Sequence, residues 1–220
     1  MLFVYNFLQI SLLLGAAPLL VLLVAGRKKY RKRFWQRLGF GLQRRAANIK
    51  NLPDRRRIWF HCLSVGEVTS ALPLVRGLRQ RMPTALVIVT VTTSTGIKVA
   101  EQQLAPWANL VLPAPVDLLP VIRRYIKVLR PDLFILVETD FWPNWLHALR
   151  RQRIPAMLVN GRVSQASFAR YQRFRFLFRP LFSSFSLLAM QTENDAVQLR
   201  ALGVPAKRLQ LLGNLKYAPA

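Results

Sequence analysis

Acidic side chains, histidine and cysteine are all scarce in this sequence. Nine Asp and Glu residues stand against 33 Lys and Arg, and there are two His and one Cys among 220 residues. The single cysteine, Cys62, excludes an intramolecular disulfide and fits a reducing compartment. It lies in an apolar run with nothing to stabilise a thiolate, so we interpret it as a core residue. Neither His61 nor His147 belongs to a cluster with metal-ligand spacing, and we expect no metal site and no cofactor.

Two common nucleotide-binding motifs are also missing. No Gly-x-Gly-x-x-Gly follows an apolar run, and no Gly-x-x-x-x-Gly-Lys-Ser/Thr occurs, so a dinucleotide or P-loop site is unsupported. Ser64 lacks the second glycine of a nucleophile elbow and has no evident His partner. Any catalysis by this chain would therefore depend on carboxylates.

The net charge of +24 is the strongest feature that the composition does show. Such an excess of cations predicts an anionic partner, which could be nucleic acid, an acidic membrane face or a phosphorylated substrate. An apolar content of 52% excludes a disordered chain and is enough for one sizeable domain.

Residues 1–26 carry no charged side chain and are dominated by Leu, Val, Phe and Ile. At about 1.5 Å per residue a helix of this length would cross a hydrocarbon core of roughly 30 Å, so we predict a single N-terminal transmembrane anchor. A shallow interfacial helix is the alternative. The positive residues follow the apolar run, which argues against a cleaved signal peptide and places the rest of the chain in the cytoplasm.

Residues 27–50 are rich in Lys and Arg, interleaved with Tyr30, Phe34, Trp35 and Phe40. We predict that this juxtamembrane segment lies on acidic lipid, where each cation contributes roughly 1 kcal/mol. Nucleic-acid binding has only the charge in its favour. A polar stretch with Asn51, Pro53 and Asp54 marks the boundary to a domain over residues 51–220.

Short apolar runs alternate with helical patterns through residues 51–220. This alternation predicts a doubly wound, Rossmann-like α/β domain with a parallel sheet. Helices are expected after Glu67, after the turn at 92–96, up to about Arg130, and over 166–182 and 193–201. The predicted strands are an opening run from Ile58, then 86–91, 109–112, 133–137, 156–159, 187–190 and 209–212.

Glu67 lies at the start of a helix, directly after the first strand and the tight turn Ser64-Val65-Gly66. Ligands of open parallel sheets bind beyond the carboxyl ends of the strands, so this position suits a catalytic carboxylate. The alternative is that Glu67 only offsets the helix dipole, an effect of about 0.3–1 kcal/mol.

Glu138 and Asp140 follow the fourth predicted strand in the same way. They could share a crevice with Glu67 because both strands end at one edge of the sheet. Pairing of Glu138 with Arg162 is the structural alternative. The hydroxyl-rich turn that contains Thr93 offers free N–H groups for an anion, or ordinary capping of the helix that follows.

Five motifs in order give the chain a family resemblance. They are Ser64-Val65-Gly66-Glu67, the Thr-rich turn at 90–96, the stretch 138–144, the stretch 160–164 and the stretch 213–217. Together they resemble the bacterial transferases of 3-deoxy-D-manno-octulosonic acid (Kdo) in lipopolysaccharide synthesis, over almost the whole chain. Those enzymes move Kdo from CMP-Kdo to the lipid A precursor, lipid IVA, at the inner membrane.

The resemblance implies the N-terminal, acceptor-binding domain of a GT-B glycosyltransferase. It implies that Glu67 is the general base for the acceptor hydroxyl, and that Glu138 and Lys216 assist at the transition state. The phosphorylated glycolipid acceptor and the anionic membrane would account for the positive charge. The motif residues implied in substrate binding are Ser64, Gly66, Thr93, Asp140, Asn160, Arg162 and Asn214.

The chain departs from the family pattern at Asp140, where Glu is common, at Gly161, where Ala is common, and at Tyr217-Ala218, where Phe-Asp is common. It also stops at residue 220, where the linker to a donor domain would begin. We therefore expect the acceptor half of a Kdo transferase, either as a fragment or as a split product that needs a separate C-terminal donor polypeptide. The alternative is a non-catalytic, membrane-anchored module that binds acidic glycolipid.

Overall fold

The domain is built on a seven-stranded, fully parallel sheet with the order β3-β2-β1-β4-β5-β6-β7. The computed structural model describes residues 2–25, 28–50, 52, 54–138 and 141–217. The strands are β1 Arg57–Cys62, β2 Leu86–Val91, β3 Leu110–Pro113, β4 Leu133–Val137, β5 Ala156–Gly161, β6 Leu187–Met190 and β7 Leu209–Leu211. The predicted parallel α/β fold is confirmed.

Helices connect the strands and cover both faces of the sheet. The helices before the sheet are α1 Leu2–Ala25, α2 Lys28–Arg37, α3 Leu42–Arg45 and α4 Ala47–Lys50. Those within it are α5 Val65–Arg81, α6 Ser94–Gln103, α7 Leu119–Leu129, α8 Pro143–Arg151, α9 Gln165–Arg173, α10 Arg175–Phe182 and α11 Glu193–Ala201. Two helices differ from expectation: α8 was not predicted, and the segment 166–182 is two helices that meet at Phe174.

The two faces of the sheet carry separate hydrophobic cores. One face packs against α5 and α6 through residues such as Phe60, Val89 and Ile135. On the other face, Trp59 is fully buried beside Tyr125, Phe134 and Trp145, with ring centroids 5.2–6.4 Å away. Because successive side chains of a strand point to opposite faces, strands buried on both sides read as continuous apolar runs.

Strand β1 lies between β2 and β4, so the connection after β3 crosses to the other side of β1. The chain thus changes winding direction at the β1/β4 pair, and a crevice forms beyond the carboxyl ends of these two strands. Ligands of doubly wound sheets bind at this type of switch point. Glu67 follows β1 and Glu138 follows β4.

Helix α1 is docked on the domain near its beginning. The Tyr5 hydroxyl donates to Asp117 Oδ2 at 2.9 Å, Asn6 Nδ2 donates to Asn144 Oδ1 at 2.9 Å, and Gln9 Nε2 donates to the Asp117 carbonyl at 3.0 Å. In the part of the chain that the structure describes, no helix combines enough length and apolar character to cross a membrane. The predicted transmembrane anchor over 1–26 is therefore not supported, and polar side chains tie this helix to the domain instead.

The basic segment 27–50 also packs on the domain. Leu42, Ala46 and Ile49 are buried in the core that contains Trp59, and the guanidinium of Arg57 donates to the Ile49 carbonyl at 3.0 Å. The structure thus places residues 42–49 within the domain whose start was predicted at residue 51. Apolar residues spaced along a cationic stretch provide this contact.

Candidate active site

Glu67 lies in the first turn of α5, at the carboxyl end of β1. Its side chain is only 4% exposed, and its Oε2 accepts a hydrogen bond from the Leu63 backbone N–H. Ser64, the residue before the helix, makes no side-chain capping bond. The carboxylate of Glu67 therefore serves a backbone donor at the helix start, and the same contact orients it toward the end of β1.

Glu138 occupies the equivalent position after β4, with a left-handed backbone at φ 64°. Its Oε1 accepts from Ser70 Oγ at 2.9 Å and from Asn160 Nδ2 at 3.0 Å. Ser70 lies one helical turn after Glu67, and Asn160 lies in β5. Glu138 therefore connects α5, β4 and β5, and within the described ranges it forms no ion pair with the exposed Arg162.

Glu67 and Glu138 both affect the pKa of Cys62. Burial raises the pKa of the Cys62 thiol well above its usual value, and the charges of Glu67 and Glu138 raise it further. Both carboxylates thus lie within electrostatic reach of the last residue of β1. Cys62 is a fully buried core residue here, as its apolar surroundings in the sequence predicted.

Asn160 connects Glu138 to the turn that carries Lys216. It has a left-handed backbone at φ 56°, is 2% exposed, and accepts from the Leu215 N–H through Oδ1 at 3.0 Å. In the same turn, Asn214 Oδ1 accepts from the Lys216 N–H at 3.0 Å. The Lys216 ammonium lies 4.0 Å from the point where a Cβ on Gly66 would stand. The ammonium is thus beside the turn that leads to Glu67.

Helix α6 begins directly beside this turn. Thr93 Oγ1 caps it by accepting from the Gly96 N–H at 3.1 Å. A Cβ on Gly96 would lie 3.2 Å from the Ser64 carbonyl carbon and 2.7 Å from Val91 Cγ1, so only glycine permits this approach. The Thr93 hydroxyl therefore makes an ordinary helix-capping hydrogen bond, which was the alternative to anion binding at this turn. The positive ends of α5 and α6 are consequently adjacent.

Two arginines of α2 reach the same edge of the sheet. Arg33 Nη2 donates to the Thr92 carbonyl after β2, and Arg37 Nε donates to the Ala114 carbonyl after β3 at 3.0 Å. Burial lowers the pKa of Arg33, and the nearby charge of Arg37 lowers it further. Cations from the basic segment therefore flank the crevice that holds the two glutamates.

Several predicted site residues come together, and others do not. Ser64, Gly66, Glu67, Glu138, Asn160 and Lys216 converge at the β1/β4 edge, whereas Arg162 is exposed and contacts none of them through a described hydrogen bond. Asp140 lies outside the described residues. Sequence reasoning missed Ser70 and Arg33; the spacing of three residues from Glu67 is the signal that could have identified Ser70.

The arrangement suits proton abstraction next to a cationic surface. A buried carboxylate at a helix start can take a proton, and an ammonium nearby can stabilise negative charge that develops in a reaction. No group of three or more His, Cys, Asp and Glu side chains among the described residues could hold a metal ion.

Replacing Asn160 by Ala is expected to destabilise the domain by about 2–4 kcal/mol. The change leaves the Leu215 N–H without its partner and removes one of the two hydrogen bonds to Glu138 Oε1, at about 1–3 kcal/mol. It also forces Ala into a left-handed backbone, at about 1 kcal/mol more. Urea unfolding measures the loss. Asn160→Gly separates the backbone contribution, and exposed Asn194→Ala is the matched control. Equal midpoints for Asn160→Ala and Asn194→Ala would contradict the assigned contacts.

Comparison with known proteins assigns the family. The family model for 3-deoxy-D-manno-octulosonic-acid transferase (kdotransferase) matches residues 32–219. The Kdo transferase of Haemophilus influenzae is 34% identical over 97% of this chain and 49% of its own length. The Kdo transferase of Chlamydia muridarum is 29% identical over 96% of this chain and 48% of its own length. The chain thus spans about half the length of these relatives.

Solved structures resemble the fold at low identity. UDP-GlcNAc 2-epimerase from Neisseria meningitidis has a TM-score of 0.55 and 14% identity, over 73% of this chain and 47% of that one. The corresponding enzyme from Methanocaldococcus jannaschii has a TM-score of 0.53 and 16% identity, over 73% and 45%. At this identity the likeness shows the fold of the parallel α/β domain alone. By sequence, the chain belongs to the 3-deoxy-D-manno-octulosonic acid transferase family of glycosyltransferases.

Proposed function

We propose that this chain is the acceptor half of a Kdo transferase that uses CMP-Kdo as donor and lipid IVA as acceptor. The single observation that carries the proposal is the convergence of Glu67, Glu138 and Lys216 at the β1/β4 edge. Glu67 takes the proton of an acceptor hydroxyl. The acceptor oxygen then bonds to the anomeric carbon of Kdo, while the bond from that carbon to the CMP phosphate breaks and CMP leaves.

Glu138 and Lys216 carry opposite charges, and each stabilises a different part of the transition state. The ammonium of Lys216 offsets negative charge on the leaving phosphate or on the sugar carboxylate. Glu138 lies near the positive, N-terminal end of α5. Its carboxylate there stabilises the positive charge that develops on the sugar ring. We assign the CMP-Kdo site itself to a second domain, since the chain matches only about half of its relatives.

We further propose that the domain works at the cytoplasmic face of a bacterial inner membrane. Phe3, Phe7, Ile10 and Leu14 recur at intervals of three or four residues along α1 and are 53–82% exposed. This apolar stripe, followed in sequence by the cationic helix α2, suits contact with the interface of an acidic bilayer. In support of the proposal, the first turns of α1 dock on Asp117 and Asn144, which follow β3 and β4 at the carboxyl edge of the sheet.

A second candidate is a module that binds acidic glycolipid without catalysis. The observation in its favour is that both glutamates have structural partners, Leu63 N–H for Glu67 and Ser70 and Asn160 for Glu138. Glutamate side chains can stabilise a fold through such hydrogen bonds without taking part in catalysis.

A transfer assay separates the two candidates. The chain is incubated with CMP-Kdo and lipid IVA, alone and joined to the C-terminal half of the Haemophilus influenzae relative, and Kdo-lipid IVA is measured by mass spectrometry. We expect product only from the joined protein. Lipid IVA binding without any product, from a joined protein that also binds CMP-Kdo, would instead select the non-catalytic module.

A further inference from the structure

Helix α7 borders two adjoining grooves on the surface, one against α8 and one against the region of α3 that contains Gln43 and Ala46. The larger groove, of about 730 Å³, is lined by Arg123, Lys127, Arg130, His147 and Arg151 among others. The second, of about 460 Å³, shares its first three cations and adds Arg57 and Arg124. The two cavities therefore form one continuous basic surface, which we call the α7/α8 groove.

These cations have no acidic partners in the described ranges. No carboxylate there lies within ion-pair distance of Arg123, Lys127, Arg130 or Arg151. The closest acid in sequence, Asp132, accepts from the Arg57 backbone N–H at 2.7 Å. An uncompensated group of cations in a concave site favours binding of an anion, since the bound charge relieves their mutual repulsion.

The pKa of His147 is affected by several of these cations at once. Burial lowers its pKa, and Arg151, Arg123 and Arg150 lower it further. In the second groove, burial and then Arg130 lower the pKa of Arg57, and the charge of Asp132 offsets part of this effect. Side chains from α7, from α8 and from the segment before β4 thus direct positive charge into one space.

Favourable placement at helix ends explains only part of the cluster. Arg130 and Arg151 lie at the C-terminal ends of their helices, where cations offset the helix dipole. Arg123, however, lies in the first half of α7, and it forms a stripe with Lys127 and Arg130 at intervals of four and three residues. Such a stripe is about 10 Å long, so it can contact more than one phosphate group of a single ligand.

The groove is separate from the glutamate site. Pro131 and Ile154, which line it, shortly precede β4 and β5, so it lies toward the amino ends of the strands. Glu67 and Glu138 lie beyond the carboxyl ends. The reacting groups assigned above therefore do not account for this cluster.

We propose that the α7/α8 groove is a second anion site, which binds a ligand with at least two phosphate charges. Guanidinium groups bind phosphate oxygens in pairs, and a lysine between two arginines adds a point charge. Such phosphate groups occur in soluble diphosphates and in the headgroups of anionic lipids. A concave site selects a discrete headgroup or diphosphate over a flat charged surface.

Titration of the full chain with inorganic pyrophosphate, followed by calorimetry, tests the site. The double variant Arg123→Gln/Lys127→Gln is expected to bind about tenfold more weakly or worse, since charged hydrogen bonds are lost. The control Arg170→Gln/Lys207→Gln removes the same charge from exposed positions outside the groove and should bind as the unaltered chain does. All four positions are exposed, so folding is preserved.

Proton NMR localises the binding. The chain has only two histidines, and pyrophosphate should shift the ring resonances of His147 but not those of the buried His61. Vesicles of phosphatidylcholine with and without cardiolipin, whose headgroup carries two phosphates, then identify the phosphate source. A gain in binding from cardiolipin that the groove variant loses and the control keeps indicates a lipid headgroup. The absence of this gain, with pyrophosphate binding intact, indicates a soluble ligand. Equal affinities of the groove variant and the control for both probes would overturn the proposal.

Discussion

Replacing Glu67 by Gln is expected to lower Kdo transfer by about 10²–10⁴-fold, the range that a general base contributes. Gln keeps the size of the side chain, and its amide oxygen can still accept from the Leu63 N–H. The helix start should therefore survive while the proton acceptor is lost. The loss should appear in kcat, measured with the chain joined to a donor half, because the base acts on the acceptor hydroxyl in the transition state.

A matched control comes from α6. Glu101 is an exposed glutamate, and Glu101→Gln removes the same charge without affecting the crevice. Its activity should stay within about twofold of the unaltered enzyme, as expected for a surface change. If Glu67→Gln retained full turnover and a normal unfolding midpoint, Glu67 would not be the base and the structural interpretation of its contact with Leu63 would stand.

Replacing Trp59 by Ala is expected to lower the free energy of unfolding by about 3–5 kcal/mol, the usual cost of deleting a large buried aromatic side chain. Trp59 is fully buried and touches three aromatic rings, and its Nε1 donates to Thr90 Oγ1 at 2.9 Å. The cavity would open between α7, α8 and the centre of the sheet. Urea unfolding followed by circular dichroism measures the change.

Two further variants define the origin of this effect. Trp59→Phe keeps most of the apolar contact but loses the hydrogen bond to Thr90 and some buried volume, so about 1–3 kcal/mol is expected. Trp35 is 46% exposed, and Trp35→Ala should cost less than about 1 kcal/mol. A Trp59→Ala midpoint equal to that of Trp35→Ala would mean that the centre of the sheet is not packed as described.

The strands could be predicted closely because of their burial. Strands β2, β4 and β6 have the bounds expected from their apolar runs, and β5 is longer by two residues, ending at Gly161. A parallel sheet covered on both faces leaves few polar positions within a strand, here residues such as His61 and Thr90, so most apolar runs are bounded by turn residues. The order of the strands was not predicted, because the apolar runs alone do not show where the chain crosses the sheet.

The helices on the Trp59 face were harder to predict. Helix α8 begins with Pro143 and contains Asn144, two residues that read as a loop. Asp117, distant in sequence, accepts from the N–H groups of Asn144 and Trp145 at 3.2 and 3.0 Å and so caps the helix. The docking of α1 depends on the same Asp117. Contacts of this range leave no local signal.

The sequence could place individual candidate residues at one edge of the sheet, but it could not give their mutual contacts. Position after a strand was sufficient to select Glu67 and Glu138 at one edge. It could not show that Ser70 and Asn160 both bind one oxygen of Glu138, since three elements must first be assembled. Nor could it show that Arg162 would lie exposed while Arg33, from the basic segment, would reach the end of β2.

The hydrogen bond from the Leu215 N–H to Asn160 has a mechanical consequence. Leu215 also packs against the core on the α5 side, so the turn that carries Lys216 is held to the sheet at two points. The backbone of Lys216 therefore moves with the sheet, and its ammonium is held beside the turn that leads to Glu67.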